Sequence, residues 1–387
     1  MEKSIYHDAR AQWTVYGILF LALLLLPLFI DDPFQLNGVS RYLVFGMLAA
    51  SVSLVWGFGG ILTLGQGIGF GIAAYGMAMT MIVQGLHPLA NPVPSFMRSS
   101  GVNELPWLWE PFWSTGVGIL LTLAVPIAFT VVFGVLMFKA RVAGAFIAIM
   151  TLAMLAALYN LSTVMDVYTS GVNGLSPRSP LELFGIALDP YERYTYWIIA
   201  GIFIALISLV KLALQTKFGL IVQATREDSE RARYLGYNVS SYQILIFAIG
   251  GLMTAVAGGC YVILRQYVNP SAFDVTFSIS MVVWAAVGGR LSLLGAVLGA
   301  FLINGAEDTF GDDYQAVWLL ILGATFMLVV RFLPYGLVGL VELGFHRIAQ
   351  AGGFSRLLNQ QGVVPSALSS GDTDRANPAK SSPSYKE

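Results

Sequence analysis

Apolar runs long enough to cross a lipid bilayer follow one another along almost the whole chain. A helix needs about 20 residues to span roughly 30 Å of hydrocarbon. Only 11% of the residues are charged, whereas roughly 25% is usual in soluble proteins. The runs are 13–30, 40–57, 61–83, 113–138, 142–165, 194–214, 242–264, 276–289, 291–306 and 315–333. We therefore predict an all-α integral membrane protein of about ten transmembrane helices, with one membrane domain over residues 13–334.

The distribution of basic residues indicates how these helices are oriented. Lys and Arg are retained on the cytoplasmic side of a membrane, whereas acidic residues contribute little to topology. If the N-terminus is cytoplasmic, all but five of the 21 Lys and Arg residues fall inside, and the exceptions are Arg41, Arg98, Arg178, Arg193 and Arg265. The opposite orientation would place most of them outside. We therefore predict that both termini are cytoplasmic and that residues 1–12 form the N-terminal cytoplasmic segment.

Stretches outside the spans differ in character. The external loop 84–112 is rich in Pro and Trp, which forbids one regular helix, and we expect an ordered cap. Since Trp favours the membrane interface, the loop could equally be a belt that only anchors the chain there. Residues 335–351 are expected to form a juxtamembrane segment. Residues 352–387 are rich in Ser, Pro, Gly and Asn without apolar periodicity, which is typical of a disordered tail, here cytoplasmic.

The polar cytoplasmic loop 215–241 carries the signals of a short soluble helix. Thr225 is a candidate N-cap and Gly236 a candidate left-handed stop. Between those ends two (i, i+4) ion pairs would stabilise the helix: Arg226–Glu230 and Glu227–Arg231. Such a short helix is marginal in water, so it should dock on a cytoplasmic partner, or else be a solvated helix resting on the membrane domain. The candidate docking residues are Thr225, Arg226, Glu227, Asp228, Arg231, Ala232, Leu235 and Gly236, of which Asp228, Ala232 and Leu235 would share one face.

Glycine is unusually dense in the segment 59–75, inside the third predicted span. Glycine is costly in a helix, so its density indicates either close helix packing or an unwound segment that lines a cavity. Gln66 is the strongly polar side chain there, and it could meet a polar solute or simply bond a neighbouring helix. The pattern GG-x-L-[TS]-L occurs at 59–64 and again at 288–293, which suggests an internal repeat.

A Gly/Ser/Asn turn cluster at 168–176 follows the external end of the fifth span. Backbone amides in such a turn could meet a carbonyl or carboxylate, although an ordinary exposed turn has the same composition. Together with the glycine-rich segment, this cluster gives the candidate residues of a solute pathway. They are Gly65, Gln66, Gly67, Asn160, Gly171, Asn173 and Gly174.

Several chemistries have no support in the sequence. No G-x-x-x-x-G-K-[ST] loop is present, so the chain cannot hydrolyse ATP by itself and needs no cofactor of its own. No metal-spaced Cys/His group or nucleophile–base pair indicates an enzyme. The net charge of −1 argues against a nucleic-acid partner. The expected class is a membrane transport protein surrounded by lipid.

Ordered segments of the chain resemble a known family. The segments 59–79, 218–259 and 268–300 are similar to conserved stretches of the permeases of branched-chain amino acid and urea ABC importers. The resemblance implies a multi-pass protein of the bacterial inner membrane that works by alternating access. It implies as partners a second homologous permease subunit, two cytoplasmic ATP-binding subunits that hold ATP and Mg²⁺, and a periplasmic substrate-binding protein. The segment Thr225–Gly236 would then be the coupling helix that docks on the ATPase.

Within that family, the external-loop sequence at 103–113 and the segment 157–176 look most like the urea permease branch. We therefore predict that the cargo is urea or a short amide. A branched-chain amino acid is the alternative cargo. An ATP-independent channel or facilitator for a small neutral solute is the alternative mechanism, because glycine-rich spans without fixed charges would serve it as well.

Overall fold

The computed structural model describes residues 9–86, 93–142, 144–183, 185–310, 315–332 and 336–337. Within these residues the chain is helical apart from one antiparallel hairpin of Leu181–Leu183 and Ile186–Leu188. The predicted tail 352–387, nearly all of the juxtamembrane segment 335–351 and residues 1–8 of the N-terminal segment lie outside the described residues.

An α-helix lies on each of the predicted apolar runs, which confirms the all-α membrane class. In chain order the helices are α1 (Ala9–Leu25), α2 (Pro33–Val52), α3 (Gln66–Gln84), α4 (Ser95–Ser99), α5 (Thr115–Lys139), α6 (Ala145–Val164), α7 (Asp166–Thr169), α8 (Arg193–Gln215), α9 (Lys217–Glu227), α10 (Ser229–Tyr234), α11 (Val239–Arg265), α12 (Val275–Gly288), α13 (Leu293–Phe310) and α14 (Gln315–Phe332). The number ten is only approximate for complete spans. Among the described residues, six helices are long and apolar enough to cross a membrane, or seven with a pair bent by 116° that α12 and α13 form.

Three helices form the centre of the membrane domain. The apolar stretch of α3 is 89% buried and those of α2 and α11 are 72% buried, whereas α5 and α6 are only 28% buried. Glycines let α3 and α11 touch, because a Cβ on Gly258 of α11 would lie 2.2 Å from the Phe70 carbonyl oxygen of α3. Part of the glycine density is therefore a helix-packing device. The poorly buried α5 and α6 face lipid or another chain.

Helices α2 and α13 run antiparallel and are tied together at both ends. At one end, the Arg41 guanidinium pairs with the Asp308 carboxylate at 2.5 Å. At the other end, the Ser53 hydroxyl donates to the Arg290 carbonyl at 2.8 Å. A Cβ on Gly57 would lie only 1.7 Å from that carbonyl oxygen, so the two copies of the GG-x-L-[TS]-L pattern lie next to this contact.

The described part of the external loop has a small apolar cluster of its own. Its buried members are Val93, Met97, Trp109 and Phe112, and they pack with Met79 and Val83 at the outer end of α3. Trp107 in contrast is 76% exposed. The loop therefore combines a packed cap with an exposed indole of the kind that favours a membrane interface.

Candidate translocation and coupling sites

The chain loses helical structure between α2 and α3, at the glycine-rich segment. Helix α2 continues as a π-helical stretch, Ser53–Phe58, and residues 59–65 then have no regular structure before α3 begins at Gln66. Gly60 has φ +70°, which favours glycine. Two explanations were predicted for these glycines. The unwound segment is found here, at residues 59–65, whereas close helix packing is found further along α3.

Neighbouring helices satisfy the backbone of this unwound segment. The Leu64 N–H donates to the Thr151 hydroxyl of α6 at 3.1 Å. The Ser278 hydroxyl of α12 donates to the Leu64 carbonyl. Irregular backbone at membrane depth is tolerated only where protein or a cavity surrounds it. The start of α3 is thus a junction at which α6 and α12 also meet.

A small pocket lies beside the N-terminus of α3, between α3, α5 and α11. It has roughly the room of one water molecule. It is deep, because its α11 residues lie near the middle of Val239–Arg265. The lining residues are Gly65, Gln66, Ile68, Gly69, Phe129, Thr130, Phe133, Phe247, Gly251 and Thr254. Of the described residues, those that line the pocket include no charged side chain.

Gln66 is the polar side chain that the pocket leaves unsatisfied. It is 4% exposed, and its Nε2 has no hydrogen-bond partner within the described parts of the chain. Gly250 of α11 is its neighbour: a Cβ there would lie 3.6 Å from Nε2, an ordinary contact, and only 2.5 Å from a methyl of Val55. The sequence also allowed Gln66 to bond a neighbouring helix. Its Nε2 does not form such a bond within the described residues.

The other predicted pathway residues are divided among different places. Gly67 packs against Leu155 of α6, where a Cβ would lie 3.1 Å from its methyl. Asn160 is exposed on α6, and its Nδ2 donates back to the Ala156 carbonyl at 2.8 Å. The structure therefore places Gly65 and Gln66 at the pocket and leaves Asn160 away from it.

The predicted turn residues lie together against the segment that follows α11. Gly171 and Gly174 have φ of +56° and +72°, respectively. The Tyr267 hydroxyl donates to the Asn173 carbonyl at 3.1 Å. A Cβ on Gly174 would lie 2.2 Å from the Val268 carbonyl oxygen. This turn is consequently a packed element that only glycine permits, and not a loose loop.

Two polar members of the pocket, Thr130 and Thr254, were not among the predicted pathway residues. Each hydroxyl donates to a carbonyl of its own helix, Thr130 to Pro126 at 2.7 Å and Thr254 to Gly251 at 3.0 Å. Isolated Thr residues are usual in apolar helices for this reason, so neither position stands out. Pro126, one turn before Thr130 inside the continuous helix α5, is the one unusual residue nearby that the sequence displays.

On the predicted cytoplasmic side, α9 and α10 form an elbow, the name we give to residues 217–235. The predicted single helix from Thr225 is wrong, because the chain breaks at Asp228, whose φ of −153° is extended. Asp228 is the N-cap, and its carboxylate accepts from the Arg231 N–H at 2.9 Å. Thr225 lies inside α9, where its hydroxyl donates to the Ile221 carbonyl at 2.9 Å. The stop is as predicted, since Gly236 has φ +88°.

The break also changes the ion pairs of the elbow. The predicted (i, i+4) pairs Arg226–Glu230 and Glu227–Arg231 do not form. The guanidinium groups pair instead with nearer carboxylates: Arg226 with Glu227 at 3.6 Å, Arg231 with Asp228 at 3.4 Å and Arg233 with Glu230 at 2.5 Å. These pairs are largely exposed, so each adds little stability.

Arg226 joins the elbow to the unwound segment. Its Nη1 donates to the Gly57 carbonyl at 2.8 Å. Its side chain lies over Gly60, where a Cβ would come within 2.5 Å of the Arg226 Cγ. A partner docked on the elbow would therefore act on the chain just before α3 begins.

Two exposed apolar residues lie side by side at the C-terminal end of the elbow, and Leu220 in α9 is a third, 66% exposed. Tyr234 is 89% and Leu235 73% exposed, whereas Ala232 is only 4% exposed. The prediction that Ala232 shares an outward face with Leu235 is therefore wrong, because Ala232 points into the protein. Two neighbouring large apolar side chains that are both exposed make this end a candidate docking surface. We call Tyr234 and Leu235 the docking patch.

Comparisons with known proteins agree with this organisation. Residues 34–330 match the model of a family described as "Branched-chain amino acid transport system / permease component". The high-affinity branched-chain amino acid transport system permease protein LivM of Escherichia coli is 24% identical over 352 residues, covering 84% of this chain and 76% of LivM. LivH of the same organism is 30% identical over 153 residues, 38% of this chain and 47% of LivH. A probable LivM of Methanocaldococcus jannaschii is 26% identical over 212 residues, 50% of this chain and 58% of that protein. No solved structure matches the chain.

Proposed function

The chain belongs to the family of permease components of branched-chain amino acid transport systems, and from this premise we propose that it forms the membrane path of an ATP-driven importer for branched-chain amino acids. Its relatives are permeases and not enzymes, and separate ATPase subunits hydrolyse ATP for them. The protein is accordingly a multi-pass protein of the bacterial inner membrane. The cargo, the contacts with partners and the roles of individual residues are the proposed part.

The observation that carries the proposal is the continuous link from the elbow to the pocket. The docking patch is exposed, and Arg226 in the same elbow donates to Gly57 at 2.8 Å. The unwound residues 59–65 connect that point to Gln66. A movement of the elbow would thus be transmitted to the start of α3 through this hydrogen bond and the chain that follows it. Alternating access requires such a coupling between the partner and the membrane helices. An ATP-independent channel would have no use for such an elbow.

The proposed partners are inferred from the missing phosphate-binding loop and from the poorly buried faces of the helices. Since it has no phosphate-binding loop, ATP and Mg²⁺ would be bound by two cytoplasmic ATP-binding subunits, one of which docks on the elbow. The poorly buried faces of α5 and α6 leave surface for a second, homologous permease subunit. A periplasmic substrate-binding protein would deliver the cargo on the outer side.

The sequence-based choice of urea as cargo has no support among the relatives, whose names concern branched-chain amino acids. The residues that line the pocket also favour a cargo with apolar surface. Three aromatic rings line it, from Phe129, Phe133 and Phe247. Urea has no apolar surface for them to contact, whereas leucine, isoleucine and valine do. Branched-chain amino acids are therefore the proposed cargo.

Competition for uptake tests this choice of cargo. Cells that express the complete importer should take up radiolabelled L-leucine, and a large excess of unlabelled L-isoleucine or L-valine should suppress the uptake. Urea and acetamide at the same excess should leave it unchanged. Cells that carry only an empty vector give the background. Suppression by urea together with insensitivity to isoleucine would contradict the proposed cargo.

A further inference from the structure

Gln66 presents a donor that nothing in the described protein uses. The side chain is 4% exposed, its Nε2 has no hydrogen-bond partner, and it lines the pocket at the start of α3. A buried donor without a partner is costly, more so at membrane depth where water is scarce. Such a group is expected to be satisfied in another state of the protein, by an acceptor that enters the pocket.

The surroundings of Gln66 indicate which acceptor fits. The pocket lies at the N-terminus of α3, a helix of 19 residues that has no side-chain cap at Gly65. The N-terminal end of a helix carries a partial positive charge and unpaired N–H groups, which favour an anionic oxygen. No cationic side chain lines the pocket within the described residues, so an anion without its own counter-charge would stay uncompensated. A zwitterion satisfies both conditions.

Two threonines of the pocket lining fit the positive end of a zwitterion. Thr130 and Thr254 each donate their hydroxyl proton to a backbone carbonyl of their own helix. Their oxygens keep lone pairs that can accept from an ammonium group. The remaining wall is formed by the aromatic rings of Phe129, Phe133 and Phe247. Donors, acceptors and apolar surface thus converge on one small space.

We infer that this pocket is a transient binding site within the permease for a free α-amino acid, with Gln66 and the α3 N-terminus holding its carboxylate. Thr130 and Thr254 accept from its ammonium group, and the aromatic rings contact its apolar side chain. The inference rests on the proposed function. It means that the cargo would be selected by the periplasmic protein and then bound a second time, within the membrane domain.

The described structure is the closed form of such a site. The pocket has roughly the room of one water molecule, which is too small for an amino acid. Opening therefore requires α5, which carries Phe129, Thr130 and Phe133, to move away from α3 and α11. Pro126 lies inside α5 one turn before Thr130 and cannot donate a backbone hydrogen bond there, which gives α5 a place to bend.

Equilibrium binding to the purified permease–ATPase complex, without the periplasmic protein, tests the inference. The probe is radiolabelled L-leucine, with L-leucinamide, which lacks the carboxylate, as competitor. The wild type should bind leucine and prefer it over leucinamide by roughly tenfold or more, the usual effect of a lost charged hydrogen bond. In Gln66→Met leucine should bind roughly tenfold more weakly, and the preference over leucinamide should shrink.

Gln84→Met is the matched control, because Gln84 lies at the other end of α3 and bonds the Glu182 backbone. It should keep both the affinity and the preference. Equal binding of leucine and leucinamide by the wild type, or unchanged behaviour of Gln66→Met, would overturn the inference, as would no leucine binding in a complex whose importer transports leucine. Failure of that importer to transport leucine at all would instead contradict the proposed function.

Discussion

Replacing Leu235 with Asp is expected to abolish ATP-driven uptake while the permease still inserts into the membrane. Leu235 is 73% exposed beside Tyr234, which is 89% exposed, at the C-terminal end of the elbow. If a cytoplasmic subunit covers this patch, a carboxylate there must lose its water without gaining a partner. Hot-spot residues of an interface contribute about 2 kcal/mol or more, so docking should weaken by roughly thirtyfold or more.

Co-purification of the ATPase with tagged permease measures this effect directly. The Leu235→Asp permease should be recovered at the wild-type level in membranes but without its ATPase. Leu108→Asp is the control, since Leu108 is also a partly exposed leucine, at 42%, but lies in the predicted external loop. It should retain the ATPase. Wild-type recovery of the ATPase with Leu235→Asp would show that the patch does not dock it.

Replacing Arg226 with Leu is expected to separate ATP hydrolysis from uptake. Arg226 is only 28% exposed, and its guanidinium donates to the Gly57 carbonyl at 2.8 Å, so it acts on the membrane domain and not on the partner's surface. A hydrogen bond from a charged group contributes about 1.5–3 kcal/mol. Its loss should leave the elbow docked but loosely attached to the unwound segment. Uptake should fall by roughly tenfold or more while the ATPase remains bound and active.

The comparison that isolates this link is the ratio of amino acid transported to ATP hydrolysed, measured in reconstituted vesicles. Arg226→Lys keeps a cation that can donate to the Gly57 carbonyl, so it should restore part of the ratio. Loss of the bound ATPase in Arg226→Leu would mean that this residue serves docking instead. If Arg226→Leu kept the wild-type ratio of amino acid transported to ATP hydrolysed, the Gly57 contact would have no role in coupling the two processes.

The helices were predictable from the sequence because hydrophobic length is a local signal. Every predicted run carries a helix, but length alone could not distinguish ten spans from a set that includes the bent pair α12–α13. Its bend lies at Gly288–Leu293, where glycines of the two helices touch: a Cβ on Gly299 would lie 2.2 Å from the Trp284 carbonyl oxygen. That contact joins two separate helices and has no local signature.

The elbow shows that the exact ends of short helices were also not predictable from the sequence. The residues around 225–231 offer both Thr225 and Asp228 as helix caps, and local rules do not choose between them. The helix that continues past Thr225 is accompanied by a contact far along the chain, since Arg226 in its last turn donates to the Gly57 carbonyl. Thr130 and Thr254 could not be predicted as pocket residues for the same reason. Only the packing of α5 and α11 brings them into the same pocket as Gln66.

The most direct test of the account is ATP-driven accumulation by purified components. Vesicles that contain this permease, its partner permease and the ATPase, supplied with the binding protein on the outer face, should concentrate radiolabelled L-leucine above its external level. They should do so only with ATP on the cytoplasmic face. Equilibration of leucine down its gradient in the absence of ATP and ATPase would contradict the account, because it would identify the chain as a facilitator.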